Sequence, residues 1–280
     1  MSMLGGTDII VERKLAMNEI VILPGRFEPP HLGHRASYNQ LQKTFPNAKV
    51  FIATSGITAP VTHPFKFEDK VNLFNKLGVP PMNVVQCASP YRATEITNQV
   101  VDPENTILIF AVSAKDMAGE NARFRFGTKK DGTPSYMQPY PGTTKKCKPM
   151  TQHAYVYTTE VATFKVMGKD ANSATAIRNA YIEGNEHDRN RIIHDLYGHT
   201  DKAIEDLFNK RLLATKETYA YAQALKDNPN KAIDRISESR IKNKMVRLME
   251  TILQLESEAK QAYQPLNEDL VPDYLEERSK

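Results

Sequence analysis

Between Pro24 and His34 the chain reads PGRFEPPHLGH, and this string holds the residue types and spacing best suited to chemistry on an anion. Gly25 has no Cβ to keep a ligand off the backbone, and Pro29 and Pro30 stiffen the approach to whatever follows. His31 and His34 are three apart, so at a helix start they project from one face, with Gly33 leaving room between them. The first turn of a helix adds unpaired N–H groups and the positive end of its dipole, which together attract phosphate. A second string, Ser173-Ala174-Thr175-Ala176-Ile177-Arg178, has the same logic. Ser173 reads as an N-cap, Thr175 adds a hydroxyl, and Arg178 lies one turn inside with a guanidinium able to fork onto phosphate oxygens.

Both strings need elements to hold them. Glu19 to Leu23 is an apolar run ending at Pro24-Gly25, the pattern of a buried strand entering a turn. Tyr38, Leu41 and Phe45 recur at helical spacing over Arg35 to Phe45, and Pro46-Asn47 closes that helix. Lys49 to Thr54 predicts a second strand, Phe67 to Leu77 a second helix stopped by Gly78, and Asn83 to Gln86 a third strand. A short helix over Glu95 to Val101 precedes a strand over Thr106 to Val112. This alternation predicts an α/β fold, a parallel sheet with helices on both faces, and it sets the first string at the carboxyl end of strand one, where such sheets bind ligands.

The alternation breaks at 119–150, where Asp131-Gly132 between two polar–aromatic alternations signals a β-hairpin insertion. His153 to Tyr157 and Val161 to Val166 return to strand pattern, and Ser173 to Glu183 is a helix. The expected organisation is an α/β domain over 18–187, a helical C-terminal region over 188–264, and an acidic tail over 265–280. Within 234–262, Ile241, Met245, Leu248, Ile252, Leu255, Ala259 and Ala262 form a heptad-like seam, which packs on its own domain or offers a homo-oligomer surface.

Composition excludes several classes. Of the 280 residues 40% are hydrophobic and 25% charged, ordinary globular values, and no run reaches the ~18 apolar residues of a membrane helix. Cys87 and Cys147 are sixty apart without a CxxC, so neither a disulfide framework nor a cysteine zinc site is expected. A cytoplasmic, reducing setting is the default, with no signal-peptide order at the start. His194 and His199 lack metalloprotease spacing, and no resident metal is expected. The net charge of +4 is local: 115–148 carries eight basic residues against three acidic ones. That segment, with Phe124, Phe126, Tyr136 and Tyr140, reads as a lid over an anionic nucleotide in preference to a single-stranded nucleic-acid surface.

GRFEPPHLGH resembles the G-x-F-x-P-x-H-x-G-H phosphate signature of the nucleotidylyltransferase superfamily, and most closely its form in archaeal-type nicotinamide mononucleotide (NMN) adenylyltransferases. SATAIR resembles the family's second signature, S-S/G-T-x-I-R. Pro64-Phe65-Lys66-Phe67-Glu68-Asp69-Lys70 is similar to its N-P-F-x-x-x-E-R segment, with Lys70 in place of Arg. The insertion and helical C-terminus resemble nucleotidyltransferase-like proteins of large tailed phages, for which host cytoplasm or a virion is the setting. One departure is Ser113-Ala114-Lys115-Asp116, where the family has G-x-D in the segment that contacts base and ribose.

The resemblance implies a Rossmann-like fold and transfer of AMP from ATP to a small phosphorylated acceptor such as NMN, giving a dinucleotide (NAD) and pyrophosphate. It assigns His31 and His34 to the α-phosphate and Arg178 to the β- and γ-phosphates. Gly25, Arg26, Phe27, Gly33, Ser173 and Thr175 would bind nucleotide or phosphate, and Lys66, Lys70, Lys115 and Asp116 would meet substrate or serve a lid. Mg²⁺ would arrive with ATP, held mainly by phosphates and water. The competing readings are a cytidylyltransferase acting on a phosphorylated alcohol and a catalytically weak nucleotide-binding or assembly protein. An aminoacyl-tRNA synthetase is excluded, because the chain has no Lys-Met-Ser-Lys-Ser loop.

Overall fold

The computed structural model describes residues 17–59, 62–119, 122–160, 165–170 and 173–213, with Ile252 beyond them. Strands β1 (Asn18–Pro24), β2 (Ala48–Thr54), β3 (Val84–Gln86), β4 (Thr106–Ser113), β5 (Met137–Pro139) and β6 (Ala154–Thr159) form one sheet in the order β3-β2-β1-β4-β6-β5. Every pairing in it is parallel. A parallel sheet must be covered on both faces, and the strand side chains comply. Along β1, Val21 and Leu23 enter one buried cluster while Ile20 and Ile22 enter the other.

The larger cluster unites β1, β2 and β4 with α1 (Leu32–Thr44), α2 (Phe67–Lys76), α4 (Ala174–Glu183), α5 (Glu186–Tyr197) and α6 (Lys202–Phe208). Tyr38, Leu41 and Phe45 are buried there, as their spacing demands. The smaller cluster is covered by α3 (Thr94–Thr97), a single turn, and by side chains of the insertion. This is an α/β, Rossmann-like parallel sheet with an insertion and C-terminal helices. Among the described residues no helix is long and apolar enough to cross a membrane.

Three expectations are modified. Helix α1 begins at Leu32, not Arg35, because His31 is extended (φ −158°, ψ 173°) and the chain turns helical immediately after it. The Asp131-Gly132 turn exists, with Lys129 N–H donating to the Thr133 carbonyl at 2.7 Å, Ser135 N–H to the Gly127 carbonyl at 2.9 Å, and an isolated antiparallel bridge between Thr128 and Pro134. Past that turn the chain joins the main sheet as β5, parallel to β6, so the insertion supplies an edge strand. Finally, the boundary at 187/188 falls inside α5, whose Ile192, Ile193 and Leu196 share the core with β1 and β2.

Of the strand expected over 161–166, Lys165–Val166 pairs with Lys169–Asp170, and the rest lies outside the described residues. So do the acidic tail and, apart from Ile252, the heptad-like seam.

Candidate active site

The turn after β1 is built by burial and by clamps from three helices. Phe27 adopts φ 51°, a left-handed backbone that costs a residue with a Cβ ~1–2 kcal/mol. Its ring is turned inward, edge-on to Phe74 at 5.1 Å and to His34 at 4.8 Å. A Cβ on residue 25 would lie 2.7 Å from the tip of that ring, so Gly25 makes room for Phe27 first. Glu28 follows, 4% exposed, with its carboxylate 2.6 Å from the Lys70 ammonium of α2 and accepting from Phe65 N–H at 3.3 Å. The Glu28 carbonyl accepts from Arg178 Nη1 of α4 at 2.8 Å, and the Pro30 carbonyl from the Tyr197 hydroxyl of α5 at 2.8 Å.

His31 then caps α1 without a side-chain cap bond, and its ring stacks on that of His34 at 3.6 Å. Burial holds His34 down to about 3. Burial, reinforced by the neighbouring His34, lowers His31 well below the usual histidine value. Both imidazoles are therefore neutral at neutral pH, and among the described residues the buried His34 Nδ1 has no hydrogen-bond partner. Arg26 reaches His63, with Nη1 3.4 Å from Nε2. His63 is lowered by burial and by the charges of Arg26, Lys70 and Arg178, while burial and Arg26 lower Arg178 against the opposing pull of Glu28. Several positive charges thus face one small region, an arrangement that costs energy until an anion enters.

That region is a cavity of about 460 Å³ at the carboxyl ends of β1 and β4. Gly25, Arg26, Phe27, His31, Gly33 and His34 line it from the first signature. Ser173, Thr175 and Arg178 line it from the second, with Ser173 Oγ capping Ala176 N–H at 3.4 Å and Arg178 Nη2 donating to Thr175 Oγ1 at 3.2 Å. Two helix N-termini, α1 and α4, therefore open onto one space.

Lys115 and Asp116 line the cavity from the segment after β4. Ser113 caps the short turn Ala114–Met117: its hydroxyl donates to Asp116 Oδ2 at 2.7 Å and accepts from Asp116 N–H at 3.2 Å. The Tyr91 hydroxyl donates to Asp116 Oδ1 at 3.4 Å. Among the described residues no group of three or more His, Cys, Asp and Glu side chains could hold a metal ion. The acids lining the cavity are Glu28, engaged by Lys70, and Asp116.

Two expected site residues lie elsewhere. Lys70 is fully buried behind the loop, on Glu28 and on the Ser55 carbonyl at 3.0 Å. Lys66 is exposed at the start of α2, its backbone N–H donating to Asp69 Oδ2 at 2.8 Å. Conversely, His63 and Tyr91 line the cavity without having been expected there. Tyr91 follows β3, so the rule that ligands bind at strand carboxyl ends points to it.

No family model and no curated protein sequence matches the chain. Solved structures similar to it include a bifunctional NMN adenylyltransferase/ADP ribose pyrophosphatase from Francisella tularensis complexed with AMP and a Mn ion. The identity is 14% and the TM-score 0.40, over 76% of this chain and 57% of that one. A second structure described as the same bifunctional protein gives 15% and 0.41, over 77% and 58%. The chain thus spans under three fifths of the length of these neighbours.

Proposed function

We propose that the chain is a nucleotidyltransferase that moves AMP from ATP to a phosphate acceptor such as nicotinamide mononucleotide, releasing pyrophosphate. The observation that carries this reading is the convergence of two phosphate-type signatures, each at a helix N-terminus, on one cavity with Arg26, His31, His34 and Arg178 in its wall. A volume of about 460 Å³ lies within the usual small-molecule range. Arg26 favours the adenylyl form over the cytidylyl one, since the G-R-F variant belongs to the NMN adenylyltransferase resemblance.

In this reaction an acceptor phosphate oxygen bonds to the α-phosphorus while the bond to the bridging oxygen of pyrophosphate breaks. The attacking oxygen is already ionised at neutral pH, so no general base is needed. Catalysis then lies in positioning and in neutralising charge. His31 and His34 would meet the α-phosphate, and Arg178, Ser173 and Thr175 the departing phosphates. Mg²⁺ is part of the nucleotide substrate, with Asp116 the nearby carboxylate not engaged by a lysine. The archaeal-type likeness and a phage-encoded, cytoplasmic setting belong to the same reading and rest on the signatures and the insertion.

The test is pyrophosphate release from each nucleoside triphosphate, with and without nicotinamide mononucleotide. Release that requires both ATP and the mononucleotide supports the reading. Release with CTP and a phosphorylated alcohol moves it to the cytidylyl class, and silence in every mixture overturns an enzymatic role.

A further inference from the structure

A second cavity, of about 730 Å³, shares Tyr91 in its lining with the first. It is lined by Thr94 and Thr97 of the one-turn α3 and by Phe124 and Tyr136 of the insertion. Its floor is Leu108 and Phe110 of β4, and it extends to Pro103 and Met150, toward the amino ends of β4 and β6. The first cavity opens at the carboxyl ends of the sheet, so the two are different places.

The lining of this second cavity has three kinds of chemistry. Phe110, Phe124 and Tyr136 offer aromatic surface, with Phe124 5.3 Å from Phe110 and 6.2 Å from Tyr91, ring centre to ring centre. Tyr136 is fixed by its hydroxyl, which donates to the Met150 carbonyl at 2.6 Å. Amides and hydroxyls come from Asn98, Gln152, Thr94 and Thr97, and cationic side chains from Arg92 and Lys129. Aromatic faces hold a planar ring, amides and hydroxyls pair with ring heteroatoms, and cationic side chains hold an anionic substituent.

We propose that this cavity is a second binding site, for a free mononucleotide or comparable heteroaromatic monophosphate, separate from the nucleotidyl-transfer site. The site needs no catalysis, and its occupancy does not depend on the reaction proposed above.

The chain has no tryptophan, which gives a direct test. Phe124→Trp places a single indole in the cavity wall, and AMP and UMP are titrated against its fluorescence. Saturable quenching by both is expected, with no change from ribose 5-phosphate, which lacks the ring. In the same background Arg92→Glu with Lys129→Glu should weaken binding about tenfold or more, since contacts to a charged group are lost. In the chain with Phe124 retained, equilibrium dialysis with AMP should show one fewer AMP bound per chain after the same double charge reversal, which keeps the test open if Phe124→Trp does not fold. No saturable quenching by either nucleotide, quenching by ribose 5-phosphate, or dialysis unchanged by the charge reversal would overturn the proposal. So would a thymidine oligonucleotide that quenches far more strongly than UMP, because the ligand would then be a nucleic-acid strand.

Discussion

The Lys70 ammonium lies 2.6 Å from the Glu28 carboxylate, one side chain fully buried and the other 4% exposed. Glu28 sits in the turn after β1 and Lys70 in α2, so this ion pair fastens the signature loop to the body of the fold. Burial raises the Glu28 carboxyl above its ordinary value even against Lys70, the Phe65 N–H and Arg178, which all favour the charged form. Removing one member of such a pair strands the other charge in an apolar setting, which typically costs ~3–5 kcal/mol. Lys70→Met should therefore lower the unfolding free energy by about that amount. Adding Glu28→Gln should recover part of the loss, because the stranded charge is then gone. Denaturant melts of both variants decide this, and a Lys70→Met melt superimposable on the parent would remove Lys70 from its anchoring role.

A second clamp comes from far along the chain. The buried Tyr197 hydroxyl donates to the Pro30 carbonyl at 2.8 Å, immediately before His31. Tyr197→Phe leaves that carbonyl without its partner, at a cost of ~1–3 kcal/mol. The same change should reduce pyrophosphate release, because His31 and His34 begin from the position Pro30 sets. A variant that is destabilised yet keeps full turnover would show that the bond serves folding alone.

His34 has both chemical and packing neighbours. His34→Ala should lower pyrophosphate release by ~10²–10³, the usual loss for one transition-state contact. Its ring also packs against Phe27 and His31, so some loss of melting temperature should accompany the change. His34→Asn, with a polar side chain in the same space, separates the two effects: folding should be largely restored while turnover stays low. Turnover at the parent rate in either purified variant would sink the active-site assignment.

Much of this architecture is legible in the sequence, for identifiable reasons. Strands buried on both faces, such as Glu19 to Leu23 and Thr106 to Val112, read as continuous apolar runs, and Tyr38, Leu41 and Phe45 mark their helix by spacing. The two signatures are local strings, and the N-terminus of α4 is predictable from Ser173, whereas the apolar spacing starts α1 three residues late, at Arg35 in place of Leu32. What is not legible involves distant partners. Lys70 resembles a substrate-facing lysine until Glu28, in another segment, is seen to claim it. Tyr197 carries no local sign that its hydroxyl will meet residue 30. The β5 strand, three residues ending in proline, is defined only by β6 alongside it, and the turn at Asp131-Gly132 suggested the opposite direction of pairing.

The histidine pair also predicts a pH dependence with a definite sign. His34 titrates near 3 in the folded chain, and burial is the cause. Unfolded, a histidine titrates near ~6.5. Between those values the unfolded state binds more protons, so stability should fall as pH drops from about 6.5 toward 3. His31, lowered in the same direction, adds to that slope. Replacing His34 by Asn should make the acid limb of a stability-versus-pH curve shallower. An entering phosphate supplies the countercharge that burial withholds, so it should raise both imidazoles toward the protonated state. Pyrophosphate binding at pH 6 should accordingly take up protons, seen as a calorimetric enthalpy that varies with the ionisation enthalpy of the buffer. Buffer-independent heats, or proton release, would mean that the anion does not reach the stacked rings of His31 and His34.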